Sequence, residues 1–573
     1  MRTHFMTLQG CHLKEGALKV YSGQGAERTA FCPAQGIEAE SPDDDRREEE
    51  DLERKARPPR RAGGAPECAD GNFAFYCFKC VGPVFITLLL LLFAGKSFSI
   101  ELNYPKQEIR AVWLTTIYGL DWPAKPACNE TECLRQQREL CVILDRLKDA
   151  NFNTVFVQAR LRGDVIYASA IEPASKVFSG KYGVLPGYDP LEYVIEECHK
   201  RSMECHAFFV TFPIGSDRIV NEQGSNSVVR RKPYLCLKHR DQWYLDPGMP
   251  GTVDYILSLV KEIICNYDID GIQFDYMRYP ENARNFPDKQ SYAKYGKGKK
   301  IADWRRENIN CLISEIHDWV KQEKPWVQVS SCPLGKYSKI AACPNVGWTA
   351  YDDVFQDTKA WLQDGKQDMI VPMMYYRQHD FYPFVDNWME HASQRSMVAG
   401  LGAYRLNKKE GDWNLSEIKE QINYIRQHGV AGCAFFRTQF VVDDEKGIYT
   451  ELKNNFFKYP AQLPPLTWMN DSVQPKSPEA VRIVRERDTL KLSWEEEETD
   501  RYTYTVYYSL TDTIDTGKAE SILATGLRKN EMYVPVDTCG EKGYTFSVSA
   551  SNRYRIESNI SHETYYYLSE YEK

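Results

Sequence analysis

"DIDGIQFDYMRYPEN", residues 268–282, ends an apolar run on a carboxylate and continues through aromatic, basic and acidic side chains. An apolar run this short, bounded by "DG" before it and "YP" after it, reads as a strand buried on both faces. In a parallel α/β barrel the active site lies where such strands end. Asp275 is therefore either an acid at a barrel mouth or only the polar end of a core strand, and the flanking sequence has to decide.

Outward from this stretch, strand-like runs alternate with amphipathic helices between about 103 and 460. The strand candidates are "EIRAVWLTT", "NTVFVQAR", "ECHAFFVTF", "DGIQFDY", "VQVSSCPLG", "DMIVPMMYY", "MVAGLGAY" and "VAGCAFFRT". Between them "QQRELCVILDRLKDAN", "DPLEYVIEECHKRS", "GTVDYILSLVKEIICNY" and "IADWRRENINCLISEIHDWVKQ" place apolar residues at three- and four-residue spacing. Eight strands separated by helices predict an α/β fold, a TIM (β/α)8 barrel, and a span longer than the usual ~250 residues leaves room for long loops.

The pattern changes at both ends. Residues 1–75, with "SPDDDRREEEDLERKARPPRRAGG", have too little apolar periodicity to bury a core and read as a disordered or untranslated extension. Residues 76–99 hold the apolar stretch Val81–Ala94 behind Lys79, with small residues after it. That is short of the ~20 residues of a spanning helix and suits a signal peptide or a signal anchor. Either one puts the remainder outside the cytoplasm, secreted or in the periplasm or cell envelope, with membrane contact only through the anchor. Beyond a Pro-rich linker, 461–477, short alternating strands over 478–573 predict a small all-β, immunoglobulin-like sandwich. Pro478, Trp494 and Tyr544 give it a resemblance to a fibronectin type III module, which implies spacing or attachment.

A net charge of −8 offers no basic face for nucleic acid. Of the 17 cysteines only Cys128 and Cys133, flanking "NET", look like a local bridge, while Cys265, Cys332 and Cys433 read as buried thiols. No paired-His zinc motif, calcium loop, glycine-rich phosphate fingerprint or Gly-x-Ser-x-Gly elbow occurs, so neither a metal nor a cofactor is expected. His206 reads as a core or loop histidine. Nothing in the sequence bears on oligomeric state.

The strand ends carry the chemistry. Asp275 points inward if Gln273 does, and a carboxylate there can act as nucleophile, stabiliser or general acid. Three residues are candidates for its partner. Asp164 follows strand two among Arg160, Arg162 and Tyr167; Asp357 shares a helical face with 361 and 364; Glu281 lies on the loop after Asp275. Trp122, Tyr276, Tyr375, Tyr376 and Tyr404 are candidates to stack on sugar rings, and Gln158, Arg160, Arg278 and Arg437 to bind hydroxyl or acidic groups. The several arginines suit an anionic or N-acetylated glycan.

"PKQEIRAVWLTTIYGLDWP", "YLDPGMPGTVDYI", "NYDIDGIQFDYMRYP", "ADWRRENIN" and "YDDVFQDTKAWLQDGKQDMIVPMMYY" together resemble the glycosyl-hydrolase-like 10 family of secreted bacterial proteins. The resemblance covers about 103–460. It implies a glycoside-hydrolase-related barrel acting on an extracellular or cell-envelope polysaccharide by carboxylate acid/base chemistry. Asp275 matches the family's acid at the end of the fourth strand, and Tyr276 stands where many relatives carry a second Asp. Arg305, Arg306 and Asn308 match a further block and are expected to organise the site; Asp357 and Trp361 match the last. The alternatives are a non-catalytic glycan-binding barrel and a structural envelope protein.

Overall fold

The computed structural model describes residues 103–344, 346–469, 473–495, 502–536 and 543–567. The expectations for residues 1–75 and 76–99 lie outside them, as does part of the linker.

The strands of the first region are β1 (Ile109–Leu114), β2 (Thr154–Arg160), β3 (Glu204–Val210), β4 (Gly271–Asp275), β5 (Gln328–Ser331), β6 (Met369–Ile370), β7 (Ser396–Met397, resuming as Ala399–Leu401) and β8 (Gly432–Phe435). All pair in parallel with their neighbours in chain order. The first piece of β7 pairs with β6 and the second with β8, which pairs with β1. Nine strand segments thus form eight strands, and the interruption at Val398 is where the sheet closes into a TIM-like barrel.

Side-chain alternation explains the closure. Ile109, Ala111, Trp113, Phe156, Phe208, Val210, Met369, Val371, Val398 and Ala434 fill the barrel interior. The residues between them, such as Val112, Val155, Ile272, Val329 and Phe435, join the core under the helices. Gly432 takes φ +152, and a Cβ there would stand 2.0 Å from the carbonyl oxygen of Ile109, so β8 reaches β1 only with glycine at this point.

The covering helices start where their caps are. In α1 (Glu130–Asp149) the Asn129 side chain accepts from the Glu132 amide at 3.0 Å. In α2 (Pro190–Lys200) Asp189 accepts from Leu191 and Glu192, with Pro190 in the first turn. α3 (Pro250–Asn266) and α4 (Ile301–Glu323) bury their apolar stripes against the barrel. A small antiparallel sheet, Pro213–Ser216, Cys236–His239 and Gln242–Leu245, is inserted after β3. The expected Cys128–Cys133 bridge is absent: both are free thiols, Cys133 buried and Cys128 exposed. Cys332 and Cys433 are buried as expected, whereas Cys265, late in α3, is exposed.

After the barrel, β9 (Glu479–Glu486), β10 (Thr489–Glu495) and β13 (Glu531–Pro535) form one antiparallel sheet. β12 (Ile522–Leu527), β11 (Thr503–Ser509), β14 (Gly543–Ser551) and β15 (Thr564–Tyr567) form a second. Leu490, Leu492, Trp494, Tyr504, Val506, Phe546 and Val548 share their core. This unit sits under the N-terminal ends of the barrel strands. Arg555 grips Glu204 at the start of β3, and Arg528 pairs with Asp270 just before β4 at 2.9 Å. Both pairs border a cavity of about 120 Å³ between the barrel and this unit. The opposite end of the barrel carries the C-terminal ends of the strands.

Candidate active site

Asp275 ends β4 at that C-terminal end of the barrel. Its backbone oxygen accepts from the Thr211 amide at 2.9 Å and the Thr211 hydroxyl at 2.8 Å, which fixes the strand end against β3. Two residues earlier Gln273 points inward and accepts from Trp113 Nε1 across the barrel at 2.6 Å. The period of two then sends the Asp275 side chain inward as well. Its Oδ1 accepts from the Tyr276 amide at 2.6 Å. Tyr276 itself takes the left-handed region at φ 49, an uncommon conformation for a bulky side chain.

Burial pushes the Asp275 carboxyl up to about 6, with the Arg278 charge, the Tyr276 amide and the Cys332 thiol holding it below what burial alone would give. Aromatic rings stand around it. Tyr375 stacks on Phe436 at 5.7 Å and 28°, and Tyr404 meets Tyr375 edge-on at 5.5 Å. Tyr276 follows Asp275 in the chain, with the Arg278 guanidinium over its ring at 4.6 Å. Cys332 occupies the end of β5, and burial drives its thiol well above its ordinary pKa.

The loop after β4 is tied down by the block around α4. Arg305 makes a two-point pair with Asp288 at 2.8 and 2.7 Å and donates to the Ala283 carbonyl. Asn308 donates to the Tyr279 hydroxyl at 3.0 Å, and Arg306 to the Tyr351 carbonyl at 3.1 Å. Across the mouth, the Tyr279 amide donates to Val354 and the Gln356 side chain to Met277. These side chains act on the backbone that carries Tyr276 to Glu281.

The three partner candidates differ in freedom. Asp164 is buried in a turn, where Oδ1 accepts from the Arg162 amide at 3.0 Å and burial pushes its carboxyl up to about 6. Asp357 is the N-cap of α5 (Thr358–Gln363), accepting from the Ala360 amide at 3.4 Å and the Tyr337 hydroxyl at 3.1 Å. Residue 361 of the expected face is a buried Trp bonded to Asn310, and Asp364 is the C-cap. Glu281 keeps a half-buried carboxylate, 3.9 Å from Arg278 Nη2, while its backbone oxygen meets His239 Nε2 at 3.3 Å.

Several substrate-binding expectations give way to structural roles. Trp122 is fully buried, donates to the Gln136 carbonyl at 2.8 Å and packs on Phe178, so it has no face for a sugar. Gln158 spends its oxygen on the Thr116 and Ile117 amides at 3.0 and 2.9 Å. Arg160, also fully buried, pairs twice with Glu172 and donates to Val210 and Thr211. Gln158 is thus consumed by loop backbone, while a register break after it turns Arg160 to the side of Phe209 and Glu172, outside the barrel interior. Arg437 donates to Asp121 Oδ1 at 2.6 Å and to Leu120. Tyr404 is buried behind Tyr375. Tyr276, Tyr375 and Tyr376 keep partly open rings, with the Lys336 ammonium 4.5 Å from the Tyr376 ring. The Phe436 wall escaped the sequence reading, although Ala434 and Phe436 share the inward phase of β8.

His206 lies at the opposite end of β3, where Nε2 meets Glu204 at 3.0 Å. Among the described residues no three His, Cys, Asp or Glu side chains gather as a metal site.

Residues 108–408 match the family described as Glycosyl hydrolase-like 10. The chain is 30% identical over 479 residues to Glycosyl hydrolase YngK of Bacillus subtilis (strain 168), covering 80% of this chain and 93% of that protein. It is 32% identical over 371 residues to Glycosyl hydrolase DigH of Escherichia coli (strain K12), covering 58% of this chain and 84% of that one. Among solved structures, the PgaB (BpsB) glycoside hydrolase domain from Bordetella bronchiseptica superposes with a TM-score of 0.39 at 14% identity, over 61% of this chain and 98% of that one. The matched span holds the strand end, the long loop and the arginine block that together frame Asp275, and it covers more than half of the 573 residues. The chain belongs to the glycosyl hydrolase-like 10 family.

Proposed function

We propose that this protein is an exported glycoside hydrolase acting on a cell-envelope or extracellular polysaccharide, with Asp275 as its proton donor. The observation that carries this is a half-buried carboxyl at the inward end of β4, raised to about 6, facing aromatic walls. A carboxyl so raised holds its proton at mildly acidic pH and can give it to a glycosidic oxygen as the C–O bond breaks. Tyr276, Tyr375 and Tyr376 supply faces for sugar rings.

Glu281 is the partner the geometry favours, because Asp164 and Asp357 already serve their own turns and caps. As a carboxylate 3.9 Å from Arg278, it would take a proton from the attacking water or stabilise the developing oxocarbenium ion. The water oxygen then joins the anomeric carbon, and the bond electrons leave with the oxygen that Asp275 protonates. Export rests on the apolar segment 76–99, and the C-terminal sandwich is read as a fibronectin type III-like spacer fixed to the barrel base.

The second reading, a glycan-binding barrel without catalysis, draws on Tyr276 in place of an acid. Reducing-end release from a panel of bacterial and host glycans separates the two. Release lost in Asp275→Asn and Glu281→Gln supports hydrolysis; no release from any glycan, with binding unchanged in Asp275→Asn, supports the binding barrel.

A further inference from the structure

Arg278 is a buried cation whose charge is poorly answered. It is 6% exposed, and its Nε and Nη1 have no hydrogen-bond partner among the described residues. Its recorded ion contact is Glu281 at 3.9 Å, beyond hydrogen-bond length, so both Nη2 hydrogens remain available. The Tyr276 ring covers one guanidinium face at 4.6 Å. A guanidinium taken out of water is ordinarily held by carboxylates or carbonyls, as Arg160 is by Glu172 and Arg305 by Asp288 in this same barrel.

Other charges nearby do not correct the deficit. Asp275 acts on Arg278 only through space, and around Tyr276 the negative charges of Asp275 and Glu281 are met by Arg278 and by a second positive charge, Arg162. The Arg162 side chain leans on Tyr118, with Nη1 donating to its hydroxyl at 3.1 Å. On the adjoining Tyr244 both arginines are felt again, together with Arg240 and Glu281. Three arginines thus act electrostatically on the same Tyr244.

We infer that Arg278 is the specificity residue of an anion subsite beside Asp275, and that the glycan carries a carboxylate on a sugar ring bound next to the bond that is cut. This rests on the hydrolase reading for the meaning of "cut", but not for binding. A carboxylate matches the planar guanidinium better than a hydroxyl does, since each hydrogen bond is charge-assisted. The carboxylate supplies the acceptors that Nη2 lacks, while the ring that bears it lies along Tyr276.

The test is equilibrium binding by calorimetry with the full chain. The probes are galacturonate, mannuronate and glucuronate-containing oligosaccharides, each beside its carboxyl-reduced neutral form. The expected result is at least one pair in which the acidic form binds tenfold or more tightly, with the preference weakening as salt rises. Arg278→Gln abolishes that preference, Arg278→Lys keeps part of it, and Asp275→Asn leaves it intact or enlarges it. Equal affinity within every pair, binding of none of the probes, or a preference that survives in a folded Arg278→Gln protein would each overturn the inference. Release of reducing ends from a neutral glycan, lost in Asp275→Asn, would leave the hydrolase reading standing even then.

Discussion

Replacing Asp275 by Asn should make the protein more stable at neutral pH and inactive. In the fold the carboxyl is raised from 3.8 to about 6 because burial disfavours its charged form. A group whose folded pKa is raised contributes stability that is complete below its unfolded value and is lost as the pH climbs through the folded one. The shift is about 2 units, and at about 1.36 kcal/mol per unit the ionised Asp275 costs the fold up to about 3 kcal/mol. Partial exposure screens part of this, so about 1–3 kcal/mol is the working range. Asn keeps the shape and still accepts the Tyr276 amide, but it never carries the charge. Urea unfolding of both proteins at pH 8 and pH 4 measures the difference: Asp275→Asn should be the more stable by about 1–3 kcal/mol at pH 8 and nearly equal at pH 4. An equal difference at the two pH values, or a variant weaker at pH 8, would refute the idea that the fold bears a desolvated charge here.

The same carboxyl sets the reaction's pH range: kcat/KM on a neutral glycan should fall about tenfold per unit above about pH 6, and Asp275→Asn should lose about 10²–10⁴ in rate, read from initial velocities. Arg278 holds the Asp275 carboxyl down, so Arg278→Gln should move that alkaline limb to higher pH, and an unmoved limb counts against their coupling. Arg555→Ala leaves Glu204 facing Asp270 without its main cation and should cost about 2–4 kcal/mol, partly recovered when Glu204→Gln is added, by urea midpoints. Gly432→Ala drives a Cβ into the Ile109 carbonyl at the β8–β1 seam and should cost more than about 3 kcal/mol, seen as a lowered Tm or loss of soluble protein.

What the sequence made legible follows from periodicity. The eight strand runs and the helices "QQRELCVILDRLKDAN" and "DPLEYVIEECHKRS" are local signals, and they stand in the structure as β1 to β8, α1 and α2. Gln273 and Asp275 share one phase, so the inward direction of the carboxyl could be read from the alternation once β4 was placed. The fates of Gln158 and Arg160 could not. Simple alternation sends both inward, but a bulge after Gln158 turns Arg160 the other way, and their partners, the Thr116 amide and Glu172, lie on other loops, where long-range hydrogen bonds leave no mark in local sequence. Trp122 follows a strand end as a sugar platform would, yet α1 and Phe178 close over it. Asp357 is a residue type favoured at helix starts, and in the structure it caps α5 and does not lie on the expected face.

Tyr276 ties these observations to the chemistry. An Asp at this position would be at ease in the left-handed conformation, because a short polar side chain tolerates positive φ. It would also set a second negative charge beside Asp275, raising one of the two pKa values further. Tyr holds the same backbone turn at a cost of about 1–3 kcal/mol, which the surrounding loop must sustain. The 276 amide donates to Asp275 Oδ1, a backbone contact that does not depend on which side chain follows. The ring then lies along Arg278 and takes the space a second carboxylate would have used. Asp275 is thereby left with its orientation fixed by backbone and with no acid at its side. A partner must reach the mouth from elsewhere, and Glu281, five residues beyond Tyr276 and beside the same arginine, is the carboxylate that the loop leaves unspent.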